Sequence, residues 1–370
     1  MNITELLEQA ARKGASDVFI VAGLPFSYKI NGKIIHANSE KLMPADTEAF
    51  VRGIYELAGQ RHIQPFLDTG DDDFSFAIKG VSRFRVSTYK QRGSLAAVVR
   101  IIAFSLPDPE VLGITPAVMQ FSDYQKGLVL VTGPAGSGKS TTLACMIDKI
   151  NNEQEKHIIT LEDPLEYLHS HKKSIVSQRE INTDTESYVS ALRAALRQSP
   201  DVILLGEMRD YETINVAMTA AETGHLIIST LHTIGAANTI DRIIDVFPPN
   251  QQRQIAVQLS MVLQAVISQQ LVMTVDGSLT PVFEIMTVNT AIRNMIRDNK
   301  IHQIDGLIYS SSSDEMCSMD ASLLKLYQNK KIDRNTALLH ASAYSARTAH
   351  PFQRNGAPFR FKLSKAQQVD

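Results

Sequence analysis

The sequence lacks tryptophan, has only two cysteines among its 370 residues and contains no long apolar run. Cys145 and Cys317 are too few to form the paired C-x-x-C units of a zinc site, and we expect both to be reduced, as in a cytosolic protein. No apolar stretch approaches the ~18 residues that a membrane-spanning helix requires. Met1 to Glu5 also lack the basic and apolar regions of a signal peptide. We therefore expect a cytoplasmic chain that reaches a membrane only through a partner.

An excess of charge of either sign is also missing. The chain carries 37 Lys and Arg against 39 Asp and Glu, a formal net charge of −2. This balance provides no general attraction to nucleic acid and leaves room only for a local basic patch, so no nucleic-acid partner is expected. The length favours two or three domains, and 44% hydrophobic with 21% charged residues is typical of a protein with a large core.

A glycine-rich stretch, GPAGSGKS at 133–140, fits the phosphate-binding pattern G-x-x-x-x-G-K-[ST]. An apolar strand precedes it and an amphipathic helix follows it, which is the context that the pattern requires. Glycines let backbone N–H groups surround phosphate oxygens, and the helix N-terminus adds partial positive charge. Lys139 is predicted to reach the β- and γ-phosphates of ATP, and the Ser140 hydroxyl to bind Mg²⁺. The predicted nucleotide-binding residues are Gly133, Pro134, Ala135, Gly136, Ser137, Gly138, Lys139, Ser140 and Thr141.

The chain divides near Ser105–Pro109, where two close prolines indicate a linker. The first hundred residues mix helices with β-prone segments, including a hairpin at Asn31-Gly32, and predict a small α+β unit. Beyond the linker, apolar strands alternate with helices, which is typical of an α/β fold with a parallel sheet. The predicted division is a first domain at 1–104, a linker at 105–112, a second domain at 113–345 and a flexible tail at 346–370. Near the end of the second domain we predict one long helix at Gln251–Gln270 and edge strands at Leu279–Met286.

Polar residues follow each predicted apolar strand of the second domain, and ligands bind at the carboxyl ends of such strands. Glu162, Glu207 and His232 each come at or just after one of these strands. Two acids near a γ-phosphate can divide the work, one deprotonating the attacking water and the other holding Mg²⁺. We assign Glu162 as the general base and Glu207 as the metal-side acid, although the sequence leaves the reverse order open. His232 is a candidate hydrogen-bond donor to the γ-phosphate.

Four arginines, Arg83, Arg85, Arg92 and Arg100, lie in or between two strands of the first unit that should pair. Guanidinium groups can neutralise the charge of a transferring phosphoryl group. An arginine side chain supplied by a neighbouring subunit, an arginine finger, raises the rate by a factor of about 10³–10⁵. On spacing alone, however, arginines on a half-exposed sheet are most simply solvated.

These motifs together resemble the secretion ATPase superfamily, and within it the PilT family of type IV pilus retraction ATPases. The resemblance extends from about Ile3 to Ala341 and follows the family's order of motifs. The segments ITLEDPLE, DVILLGEMRD and GHLIISTLHT, at 159–166, 201–210 and 224–233, are similar to its Asp box, Walker B and His box. The resemblance implies a PAS-like N-terminal domain followed by a RecA-like P-loop ATPase domain with a mainly parallel sheet and C-terminal helices. It also implies a homohexamer in which Arg85 and Arg100, with Arg83 as a third candidate, reach a neighbour's nucleotide.

Two features distinguish retraction from assembly ATPases. The tetracysteine zinc motif usual in assembly ATPases is missing, and AIRNMIR at 291–297 closely resembles a signature of the retraction family. The resemblance therefore implies an ATP- and Mg²⁺-dependent motor for pilus disassembly and twitching motility. Its implied partners are an inner-membrane pilus platform protein and a paralogous retraction ATPase, with the motor peripheral at the inner face of the membrane.

Alternatives stay open at this stage. They are a type IV pilus assembly or type II secretion ATPase, a RecA-like nucleic-acid motor and a nucleotide-gated scaffold without hydrolysis. Ala135, where the family usually has threonine, and Ile234-Gly235 after the His box are mild departures. They leave open whether the chain is a main motor or an accessory paralogue.

Overall fold

Two β-sheets with separate hydrophobic cores organise the chain. The computed structural model describes residues 2–30, 32–59, 61–102, 106–311, 313 and 315–341. The predicted tail at 346–370 lies outside the described residues, as do Ser105 and Asn31 of the predicted linker and hairpin. Within the described part, no helix combines the length and the apolar character needed to cross a membrane.

The first sheet is antiparallel throughout and has six strands in the order β3-β2-β1-β6-β5-β4. Its elements are α1 (Ile3–Arg12), β1 (Asp17–Ile20), β2 (Pro25–Ile30), β3 (Lys33–Lys41), α2 (Pro44–Leu57), α3 (Gln64–Thr69), β4 (Asp71–Ile78), β5 (Ser82–Gln91) and β6 (Ser94–Ile102). An Asn2 capping box starts α1, which buries Leu6 and Leu7 on one face. The small α+β unit predicted from the sequence is confirmed.

The second sheet has seven strands in the order β13-β12-β7-β11-β10-β8-β9. All neighbours are parallel except β12 and β13, which pair antiparallel. Its elements are α4 (Pro116–Met119), β7 (Gly127–Thr132), α5 (Lys139–Glu153), β8 (His157–Glu162), β9 (Ile175–Glu180), α6 (Tyr188–Ala195), β10 (Val202–Leu205), α7 (Tyr211–Glu222), β11 (Leu226–Leu231), α8 (Ala236–Asp245), α9 (Pro249–Val262), β12 (Leu263–Met273), β13 (Leu279–Thr287), α10 (Thr290–Arg297), α11 (Ile304–Ser310), α12 (Met319–Gln328) and α13 (Arg334–His340).

The central strands of this sheet are buried along their whole length. Every residue of β7, β10 and β11 is buried, because helices cover both faces of the sheet. The α/β fold with a mainly parallel sheet is therefore confirmed. Since the strands run parallel, their carboxyl ends meet at one edge, where the polar residues that follow them come together.

The prediction of one long helix at Gln251–Gln270 is wrong. The helix α9 ends at Val262, and the chain continues directly into the eleven-residue strand β12. Ala265, Val266 and Ile267 are fully buried between β7 and β13, and a short continuous apolar run does not distinguish a buried strand from a buried helix. The predicted edge strand at Leu279–Met286 is confirmed as β13.

The helix that carries AIRNMIR, α10, is held within the fold. Ile292 and Ile296 are fully buried, and Arg293 Nη1 donates to the backbone oxygens of Ser260 (2.6 Å) and Met261 (2.9 Å). Those carbonyls belong to the last turn of α9, where a cation is favoured by the helix dipole. Arg293 therefore anchors α10 to α9, and Arg297, half exposed, is left on the outer side.

Candidate active site

A cleft of about 270 Å³ opens at the carboxyl ends of the parallel strands. It collects predicted residues that are far apart in sequence, because four strands deliver them to the same edge of the sheet. The predicted residues lining it are Ala135, Gly136, Lys139 and Ser140 after β7, Glu162 at the end of β8, Glu207 after β10 and His232 after β11. The predicted phosphate-binding loop, two carboxylates and an imidazole thus face one cavity.

Lys139 begins α5 and is almost completely buried. Its Nζ donates to the backbone oxygens of Gly133 and Pro134, both at 2.9 Å. Burial lowers the pKa of this lysine, whereas the nearby carboxylates of Glu207 and Glu166 raise it. The loop thus holds the Lys139 cation against its own carbonyls, in the same cleft as the carboxylates of Glu207 and Glu166.

Glu162 is the carboxylate whose protonation is most perturbed in the cleft. Burial raises its pKa to about 7, while a hydrogen bond from Gln178 acts in the opposite direction. The Gln178 Nε2 donor lies 3.5 Å from Glu162 Oε1. A carboxylate that titrates near neutral pH can exchange a proton with a bound water, which is the property of a general base.

Glu207 lies among cationic and potentially cationic groups. Its Oε2 is 2.6 Å from Arg209 Nε and 3.5 Å from His232 Nε2. The side chain of Glu207 is 13% exposed, whereas those of Arg209 and His232 are largely in solvent. The carboxylate is therefore fixed in the cleft with its charge balanced from the open side.

The rest of the predicted nucleotide loop supports the cleft without lining it. Gly133 and Pro134 accept the Lys139 hydrogen bonds, and Gly138 forms the N-cap of α5 in the left-handed region. Ser137 is buried in the turn. The Thr141 hydroxyl lies 2.9 Å from that of Tyr167, so it joins α5 to the segment that follows β8.

The predicted arginines lie on the other sheet. Arg85 on β5 and Arg100 on β6 are directly opposite each other in register. Arg100 Nε donates to Asp17 Oδ1 at 3.1 Å, whereas Arg85 makes no hydrogen bond or ion pair within the described residues. Arg83 points to a carboxylate of its own chain, Glu180, at 3.1 Å. None of the three lines the cleft.

Gln269 on β12 is a residue that the sequence reasoning missed. Its Nε2 donates to Ser137 O and its Oε1 accepts from Thr142 Oγ1, both at 2.8 Å, and the residue is 2% exposed. A Cβ on Gly133 would lie 2.1 Å from the Gln269 carbonyl oxygen, so only glycine permits this contact. The apolar run that contains Gln269 predicts a helix, so no signal in the sequence points to this residue.

We expect Gln269→Leu to weaken ADP binding about tenfold, because it leaves the buried Ser137 carbonyl and Thr142 hydroxyl without partners. A fluorescent-nucleotide titration measures the affinity, and a thermal melt should show a lower midpoint. The matched control is Gln270→Leu. Gln270 is the next residue of β12, and its substitution removes a contact with His340. Equal ADP affinity in the two variants would contradict this role.

Other missed residues surround Glu162 and Glu207. Tyr167, His169, Tyr188 and Arg209 all line the cleft. Gln178 donates from Nε2 to Tyr167 O at 2.9 Å and accepts from His169 N at 2.8 Å, so it holds the segment after β8 in place. The strand that carries Gln178, β9, was not predicted, because SQRE at 177–180 has no apolar alternation.

Comparison with known proteins gives concordant matches. Residues 1–305 match the family described as Type II/IV secretion system protein. The chain is 45% identical to the type IV pilus retraction ATPase PilT of Pseudomonas aeruginosa, over 91% of this chain and 97% of that protein. It is 38% identical to the type IV pilus ATPase PilU of the same organism, over 93% of this chain and 89% of that protein.

A solved structure, the pilus retraction motor PilT with bound ADP, superposes with a TM-score of 0.84 at 45% identity, covering 92% of this chain and 97% of that one. The fold, the cleft and the ATPase relatives all indicate the same activity. The chain is an ATPase that uses a nucleotide. It belongs to the Type II/IV secretion system protein family and, within it, to the PilT family of type IV pilus retraction ATPases.

Proposed function

We propose that this chain is a hexameric motor that hydrolyses ATP in the cleft to drive retraction of a type IV pilus. The observation that carries the proposal is the convergence of Lys139, Ser140, Glu162, Glu207 and His232 on one cavity. The identity to PilT over nearly the whole chain, higher than to PilU, favours the main retraction motor.

In the proposed reaction the phosphate loop binds the triphosphate of ATP, and Lys139 leaves the Gly133 and Pro134 carbonyls to contact the β- and γ-phosphates. Glu162 takes the proton of the water that attacks the γ-phosphorus, for which a pKa near neutral suits it. His232 donates a hydrogen bond to the γ-phosphate. ADP and phosphate are the products.

The oxygen donors of the cleft fit a magnesium ion. Ser140 supplies a hydroxyl, and Glu207 a carboxylate that already lies beside cations. We assign these two residues to Mg²⁺, which when bound neutralises charge on the β- and γ-phosphates.

A second copy of the chain completes the site in this proposal. Arg85 and Arg100 lie side by side, and like charges directly opposite each other destabilise a sheet. Asp17 balances Arg100, which leaves the Arg85 guanidinium available to a neighbour's nucleotide. We therefore propose Arg85 as the principal finger and Arg100 as the second. A homohexameric ring would supply the neighbour.

Closing and reopening successive sites would rotate the N-terminal domain (1–104) against the ATPase domain (113–345) about the linker at 105–112. We propose that these steps act on an inner-membrane platform protein and disassemble the pilus, with the motor peripheral at the inner face of the membrane and working with a paralogous retraction ATPase.

A deletion strain complemented with the wild-type gene or with Lys139→Ala tests the proposal. We expect the deletion strain to keep surface pili but lose retraction and twitching, and only the wild-type gene to restore them. Loss of the pili themselves would instead indicate an assembly ATPase. Stimulation of phosphate release by DNA would indicate a nucleic-acid motor.

A further inference from the structure

A buried carboxylate joins the two sheets of the chain. Glu180, the last residue of β9, is 4% exposed, and its carboxylate accepts four hydrogen bonds from the described residues. Two donors belong to the N-terminal sheet, Ser75 Oγ at 2.6 Å and Arg83 Nη2 at 3.1 Å. The other two belong to the ATPase fold, Thr183 Oγ1 at 3.2 Å and the Leu165 backbone N–H at 3.3 Å. Glu180 is thus held from both sides of the junction.

On the ATPase side, Glu180 lies next to the proposed base. It is the register partner of Glu162 in the parallel pair of β8 and β9. The following residue, Ile181, donates its N–H to the Glu162 carbonyl at 2.8 Å, and Glu180 itself fixes the peptide of Leu165. The end of β9 therefore holds the backbone on both sides of Asp163-Pro164, whose residues line the cleft together with Glu166.

On the other side, the N-terminal sheet forms the junction. Ser75 lies on β4 and Arg83 on the neighbouring β5. The side chain of Arg83 is 18% exposed and that of Glu180 is 5% exposed, so the ion pair is largely shielded from water. A buried carboxylate that loses its cation is strongly destabilised, so displacement of the N-terminal sheet would leave Glu180 unbalanced.

We propose that Glu180 is a positioning residue through which Ser75 and Arg83 of the same chain hold the Glu162 segment ready for hydrolysis. Arg83 would then act within its own subunit, unlike Arg85, which we assign to the neighbour's site. Movement of the N-terminal domain would be coupled to the general base through this one carboxylate. The inference rests on the proposed function of the cleft as the site of ATP hydrolysis.

A double-mutant cycle on the full-length protein tests the coupling. Arg83→Met and Glu180→Gln should each lower kcat about tenfold, with the KM for ATP nearly unchanged because the phosphate loop is untouched. The double variant should be no slower than the slower single variant, and Arg83→Lys should recover part of kcat. Strictly multiplicative effects would overturn the proposal.

The matched control is Arg52→Met, which removes an exposed ion pair with Glu48 from the same N-terminal unit and should leave kcat unchanged. If either junction variant fails to fold, Ser75→Ala removes one hydrogen bond to Glu180 and should lower kcat to a smaller extent. Unchanged kcat in a folded Ser75→Ala protein would count against the coupling.

Mixed rings separate action within a subunit from action between subunits. In rings of Arg83→Met and Lys139→Ala chains, every chain with an intact Lys139 lacks its own Arg83, so we expect no recovery of turnover. Recovery would make Arg83 a finger for the neighbour and overturn the proposal. Substantial hydrolysis by Lys139→Ala alone would refute the proposed function of the cleft, an outcome distinct from failure of the Glu180 coupling.

Discussion

Lys139→Ala is expected to reduce ATP turnover by about 10³-fold, because it removes a preorganised cation from the developing negative charge of the phosphates. It also leaves Glu207 and Glu166 facing the triphosphate without the charge that offsets them. The fold should survive, since the hydrogen bonds that Lys139 Nζ makes within the described residues go to two loop carbonyls. A phosphate-release assay measures the loss, and circular dichroism checks the fold.

The matched control for this variant is Lys149→Ala. Lys149 lies on the same helix, ten residues further on, and pairs with Asp123 at 2.8 Å away from the cleft. Its removal should leave turnover within about twofold of wild type, as expected for a surface ion pair. Near-normal turnover in a folded Lys139→Ala protein would contradict the assignment of the cleft.

Glu162→Gln is expected to lower turnover by about 10²–10⁴-fold while leaving ADP binding intact, because the amide cannot accept the proton of water. The wild-type kcat/KM, which reports the free enzyme, should rise with pH through about 7. The sign follows from the pKa: below it the carboxyl is protonated and inactive as a base, and above it the base is free.

The pH dependence also decides between the two acids. Glu162→Gln should abolish the rise near pH 7, and Glu155→Gln, an exposed acid outside the cleft, should retain it. If the rise persists in Glu162→Gln but disappears in Glu207→Gln, the roles of base and metal ligand are reversed.

The site could be predicted from the sequence where its signals are local. The phosphate loop has a fixed spacing, and Glu162, Glu207 and His232 each follow a recognisable apolar strand that leads to the same sheet edge. The parallel order of the strands then suffices to bring them together, without knowledge of any side-chain contact.

The supporting residues could not be predicted in this way. Gln178 and Glu180 lie on a polar edge strand without apolar periodicity, and Gln269 lies in an apolar run that is equally compatible with a helix. Arg83 illustrates a further limit. The position of Arg83 in the sequence is compatible both with a role in its own chain and with a role at a neighbour's site. Only its contact with Glu180 indicates the role in its own chain.

Turnover in mixed rings of Arg85→Ala and Lys139→Ala chains tests the central claim most directly. Each variant alone should be impaired, but a mixed ring contains sites that combine an intact Lys139 with an intact Arg85 from the next chain. We predict that phosphate release by the mixture exceeds the sum of the two variants measured separately. A mixture no faster than that sum would contradict an ATP site completed by a second copy of the chain.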